Sequence, residues 1–324
     1  MQILEETYKQ KYALQINKKL MPPLFDDAYS FAEGLALLEM SGKWGYLHQS
    51  GKIVIPPKFD DAHSFSEGLA LVKIASKWGF INKLGKIIIN PVFDKAHSFA
   101  EGLALVKIES KWGYIDNLGN IIIPPQFESA YSFSEGLALV KIESKWGYID
   151  RRGKMAIFPQ FDNAYSFAEG LALIKIKSKW GYINRQGIII IMPQFLAAMS
   201  FSEGLALVKI GNKYGYIDKN GVVVIRAQFD GAMSFFEGLA QIKVGNKKGY
   251  IDKFGKIAIP LSFDDAYSFA DGLARVKIGS KWGYIDKFGK IVIPRQFDEA
   301  YCFAEGFAHV KLNGKIIYIR HPLK

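Results

Sequence analysis

The chain has 324 residues, 49% of them hydrophobic, enough to bury a sizeable core. Its one cysteine, Cys302, excludes an intrachain disulfide framework, and its formal charge of +11 permits an acidic partner without demanding one. The opening MQILEETYKQKYALQINKKL lacks the apolar core of a signal peptide, and the longest aliphatic run, Ile188 to Met192, is far too short to span a bilayer. The expectation is a soluble protein without a transmembrane segment, either cytoplasmic or exported without a cleavable signal.

In chain order, residues 1–24 come first. Shifted by 34 positions, QKYALQINKKLMPP lies under WGYLHQSGKIVIPP, so Tyr12 matches Tyr46 and Pro22 and Pro23 match Pro56 and Pro57. This segment reads as a degenerate N-terminal partial repeat, a cap. Residues 25–324 then hold nine units, beginning at Phe25, Phe59, Phe93, Phe127, Phe161, Phe195, Phe229, Phe263 and Phe297. All six tryptophans, Trp44, Trp78, Trp112, Trp146, Trp180 and Trp282, fall on this 34-residue register. The same slot holds Tyr214, Lys248 and Ile316 in the remaining units.

A helical repeat of this length is excluded by fixed glycines such as Gly68 and Gly85, which would fall inside helices at a cost of about 1 kcal/mol each. The short runs of Val, Ile, Tyr and Trp between turn residues are strand grammar. Each unit parses into three strands, GLALVKI from Gly68, WGFIN from Trp78 and KIII from Lys86. Pairing Ile74 with Lys77 leaves a two-residue loop. Gly211–Asn212 and Gly245–Asn246 suit a primed turn there, and the Glu–Ser loops of other units suit it less well. The second loop ends in glycine, as a type I turn closed by a left-handed residue requires. Prolines should then stop the pairing, and Asp60 is a candidate cap for one helical turn in the crossing segment.

The hairpin register puts Leu69, Leu71, Lys73, Trp78, Phe80 and Asn82 on one face and Ala70, Val72, Ile74, Gly79 and Ile81 on the other. Both faces are mostly apolar, so the units must stack to cover them. Gly79 leaves room for a close neighbour, and Trp78 is the expected large core side chain. The expected architecture is an all-β array of three-stranded antiparallel meanders stacked as an open superhelical solenoid. The alternative is a closed ring or β-propeller, with the N-terminal segment completing the last unit.

The run KWGYID, a Gly-closed turn, IVIPPQFD and FSEGLALV resembles the bacterial WG-repeat family, also called KWG repeats, over essentially the whole chain. The resemblance implies an all-β repeat protein that acts as a binding module, and it brings no catalytic residues. Tyr214, Lys248 and Ile316 depart from the pattern, and Lys248 falls opposite Lys243, a like-charge pair.

Repetition turns single residues into columns. The acids Glu33, Glu67, Glu101, Glu135, Glu169, Glu203, Glu237, Asp271 and Glu305 read as turn residues, because a catalytic acid occurs once and these occur nine times. The lysines from Lys73 to Lys311 should lie on the tryptophans. Those from Lys43 to Lys315 close the first hairpin as a solvated edge. Positive charge concentrates at the second hairpin, in Lys83, Lys86, Arg151, Arg152, Lys154, Arg185, Lys219, Lys253, Lys256, Lys287 and Lys290. Aligned, these tips form a candidate edge for a partner or a polyanion; lysines at strand ends also simply protect a sheet from pairing. His63 and His97 share a slot that is otherwise aromatic or Met, which favours packing over a metal pair. No catalytic, cofactor or metal constellation is expected. The expected function is a non-enzymatic scaffold for protein–protein interaction, with electrostatic binding of nucleic acid or anionic membrane as the alternative. The partner's identity and the oligomeric state stay open.

Overall fold

The computed structural model describes residues 25–323, so the cap expected at 1–24 lies outside the described residues. Among the described residues there are nine antiparallel sheets, eight of four strands and a last one of three. Two compact units divide them. Residues 59–235 hold repeats two to six; residues 25–58 and 236–323 hold repeat one and most of repeats seven to nine.

Repeat four shows the common plan. The hairpin Leu137–Ile142 and Lys145–Asp150 pairs in the expected register, with Ile142 opposite Lys145 and Lys141 opposite Trp146. Its two-residue loop takes left-handed backbone at both Glu143 (φ 47°) and Ser144 (φ 66°), as a primed turn requires even without glycine. The turn is held from outside. Asp60, placed before the hairpin of repeat two, accepts a 2.9 Å hydrogen bond from Ala75 N in that hairpin's loop. The helical turn expected at Asp60 is therefore absent; the residue clamps a β-turn instead.

Two expectations about strand number and ends are corrected. The third long strand, Met155–Phe161, runs through Pro159 rather than stopping before it. Its register jumps from Trp146↔Phe161 to Tyr148↔Ile157, so three residues bulge opposite Gly147 and the proline needs no ladder partner. A β-carbon on Gly147 would stand 2.6 Å from Ile157 O and 2.7 Å from Pro159 N, which explains the glycine after each tryptophan. The crossing segment supplies a fourth strand of two residues, Ser129–Ala130, paired with Lys141 and Val140.

The core lies between consecutive sheets. Leu137, Leu139, Tyr148, Ile157 and Phe161 of the fourth sheet pack on Ala164, Phe167, Ala172, Ile174 and Ile183 of the fifth. Within each unit the two predicted faces of a sheet thus meet the opposite faces of its neighbours. The fully buried large side chain is the tyrosine two places after the tryptophan. Tyr148 is 0% exposed, its ring lies 4.9 Å from Phe167, and its hydroxyl donates to Tyr165 O at 2.7 Å. Burial pushes that hydroxyl's pKa well above its ordinary value.

The same contacts join the last repeat to the first. Tyr318 OH donates to Tyr29 O at 2.6 Å, and Phe31 packs on Tyr318 and Phe307. Glu305 accepts from Glu33 N and Gly34 N at 2.7 and 2.8 Å. Repeat one therefore stands to repeat nine as repeat five stands to repeat four. The open solenoid of three-stranded units is overturned: eight of the nine described blades have four strands, repeat nine packs on repeat one, and the fold is a β-propeller.

Candidate functional site

Repeats two to nine each place an aromatic, His or Met side chain just after the two-residue strand; in repeat one the equivalent Tyr29 lies within a longer first strand, Asp27–Ala32. In repeat four this is Tyr131, 51% exposed, with its ring 5.6 Å from that of the partly buried Trp146. The Lys141 ammonium lies 5.8 Å from the same indole. Tyr165, Trp180 and Lys175 repeat the arrangement in repeat five, and His63 and His97 take the tyrosine's place beside Trp78 and Trp112. The lysine column thus lies on the tryptophans as the register expects. Burial, then the charge of His63, lowers the His97 pKa. Among the described residues no group of three or more His, Cys, Asp or Glu side chains is placed to hold a metal ion. Between Tyr131 and Tyr165 opens a cleft of about 240 Å³, with Leu139 and Phe167 among its walls.

The acidic column is structural. Glu101 sits in left-handed backbone (φ 53°) at a two-residue turn, and its carboxylate accepts from Gly136 N of the next repeat at 2.9 Å. Glu67, Glu135, Glu169, Glu237 and Asp271 do the same toward Gly102, Gly170, Gly204, Gly272 and Gly306. Each acid staples one blade to the following one.

That staple draws in part of the basic edge. Lys219 pairs with Glu169 at 3.2 Å and Lys287 with Glu237 at 3.1 Å, each reaching back one repeat, and Arg151 donates to the Glu101 carbonyl. Arg185 Nη2 lies beside Gly136. Lys86, Arg152, Lys154, Lys256 and Lys290 sit in turns whose backbone amides donate to an Asn or Asp side-chain oxygen, as Arg152 N and Lys154 N donate to Asp150 Oδ1. The lysines at the first hairpin are exposed but not merely solvated: Lys77 bonds Asp94, and Lys213, Lys247 and Lys281 bond Asp230, Asp264 and Asp298. The Lys77 bond and its charge hold the Asp94 carboxyl below the usual carboxylate range.

Repeats seven to nine depart from this plan. Lys248 does stand opposite Lys243, but its ammonium turns to Asp265 at 2.6 Å. The leucine column Leu71, Leu105, Leu139, Leu173 and Leu207 continues as Gln241, Arg275 and His309. Reading the tryptophan register alone missed this substitution, although the break in a regular leucine column was its signal.

The profile described as WG containing repeat matches nine successive segments: 17–44, 44–78, 78–112, 112–146, 146–180, 180–214, 214–247, 249–282 and 282–315. The chain belongs to the WG-repeat family. No curated protein matches this WG-repeat chain. Among solved structures, it is similar to a eukaryotic initiation factor, with 12% identity, 94% of each chain covered and a TM-score of 0.61, a likeness of fold alone. It also matches the dihydro-heme d1 dehydrogenase NirN (12% identity, 85% of this chain and 75% of that one, TM-score 0.47). Hsv2p of Kluyveromyces lactis matches at 8% identity over 70% and 92%, with a TM-score of 0.43. Neither of these two supports an argument about function. No helix among the described residues is long and apolar enough to cross a membrane.

Proposed function

We propose that this WG-repeat propeller is a non-enzymatic scaffold that binds another protein through its aromatic–lysine column. The observation that carries the reading is the serial repetition of one subsite: a half-exposed Tyr or His ring set against a Trp and a Lys, with a cleft between Tyr131 and Tyr165. Rigid aromatic side chains beside a concave apolar floor are the usual anchors of protein interfaces. A reaction needs one constellation with differentiated roles, whereas serial copies suit an extended partner. The basic edge is the alternative docking surface for a polyanion. Its partial neutralisation by Glu169 and Glu237 favours the aromatic column.

The test is cross-linked capture from cells that make the protein, identification of the captured protein, and reconstitution from purified components. Tyr131→Ser combined with Tyr165→Ser should weaken that complex by about tenfold or more, as loss of interface anchors does. Unchanged affinity, or capture of nucleic acid or lipid alone, overturns the reading.

A further inference from the structure

Where the regular repeats carry leucine, repeat eight carries Arg275, partly buried. Its guanidinium lies 3.8 Å from the Tyr267 ring centre and 5.6 Å from those of Tyr301 and Trp282. Nη1 donates to the Ala300 carbonyl. No carboxylate pairs with Arg275 among the described residues, and its Nε is buried without an acceptor. In repeat nine, His309 is 5% exposed, stacks on Tyr301 at 3.9 Å and 24°, and also has a buried, unpartnered Nδ1. Two adjacent repeats therefore keep unsatisfied polar groups around the Tyr301 ring, at a position where leucine packs without that cost.

A guanidinium is a planar fork that fits the two oxygens of a carboxylate. The ammonium groups nearby are engaged: Lys248 with Asp265, Lys311 with Glu299, and Lys277 over the Trp282 ring. That leaves a single aromatic-lined guanidinium, suited to one negative charge, rather than the cation cluster a phosphate calls for. We propose that Arg275, framed by Tyr267, Tyr301 and His309, is a binding site for a carboxylate group. The carboxylate comes either from an acidic side chain of a protein partner or from a free small acid. Only the first source rests on the scaffold reading.

The experiment titrates the full chain by calorimetry with glutarate and, separately, with an acetylated hexapeptide of glutamate, with inorganic phosphate as a third probe. Arg275→Leu installs the residue of the regular repeats, and Arg275→Lys keeps the charge without the fork. Wild type should bind a carboxylate probe, and Arg275→Leu should weaken it by about tenfold or more, as loss of a charge-assisted hydrogen bond does; Arg275→Lys should fall between them. Binding of the peptide but not glutarate identifies a protein source; binding of glutarate alone identifies a small acid and leaves the protein-scaffold reading to its own test. Absence of carboxylate binding to wild type, equal binding by Arg275→Leu, or tighter binding of phosphate overturns the proposal.

Discussion

Repeats three to five and repeats seven to nine share the same central hairpin and differ most consistently in one column of that hairpin. In the first group, Leu105, Leu139 and Leu173 are at most 1% exposed and complete an apolar seam between sheets. In the second, Gln241, Arg275 and His309 hold the same positions, and Lys248 replaces a tryptophan. The tyrosine that closes each seam is common to both, as Tyr148 and Tyr284 show with 0% and 1% exposure. Blade-to-blade packing therefore tolerates polar substitution at one position because Tyr, Phe and Ile around it keep the seam shut. A repeat protein can vary one column for recognition while its neighbours preserve the fold.

The largest expected effect tests the shared part. Tyr148→Ala should cost about 3–5 kcal/mol, since it empties a buried aromatic site and leaves the Tyr165 carbonyl without its donor. Denaturant unfolding measures it. Tyr284→Ala should cost a similar amount, and a much smaller loss there would show that the polar repeats are held together differently.

The next effect separates the two groups. His309 has its pKa lowered from 6.5 to about 4, by burial first and by the Arg275 charge second. Above pH 6.5 the ring is neutral whether the chain is folded or not. As pH falls, the unfolded chain takes up the proton first, so stability drops between pH 6.5 and 4, by about 3 kcal/mol in all. His309→Leu should remove that component, read as the difference between the two proteins' stability at pH 7 and pH 4.5. If both lose stability in parallel, His309 does not set this acid sensitivity.

A smaller loss is expected from Gly147→Ala, about 1–3 kcal/mol, because the added carbon meets the backbone of the neighbouring bulged strand, Met155–Phe161. The last sheet has three strands among the described residues and carries Ile317 in this slot, consistent with the glycine serving the bulge. A thermal unfolding curve unchanged by Gly147→Ala would show that the bulged strand yields freely. Smallest of all, changing Arg152 and Lys154 together to Glu should alter stability by no more than about 0.5 kcal/mol, the usual range for surface loops. It should also leave partner binding as it was; a marked loss of RNA or anionic-vesicle binding would move the docking surface from the aromatic column to the basic edge.

The sequence by itself determined what is local. The 34-residue spacing, the hairpin register with Ile74 opposite Lys77, the Gly-closed second turn and the two apolar faces all follow from period-two patterning and turn chemistry within a few residues. The demand for space beside Gly79 was legible too, because a missing side chain in a strand marks a close approach. Tertiary structure decided the rest. The fourth strand, Ser129–Ala130, is too short to show a pattern, and the strand through Pro159 pairs only because a bulge spares the proline's missing donor. Tryptophan was the conspicuous residue, yet tyrosine took the buried site, since its hydroxyl finds a carbonyl in the next sheet. Closure rests on Tyr318 meeting Tyr29 across the whole length of the array. No single repeat encodes that meeting, because the two residues stand 289 positions apart in different sheets, beyond the reach of period-two patterning and turn chemistry.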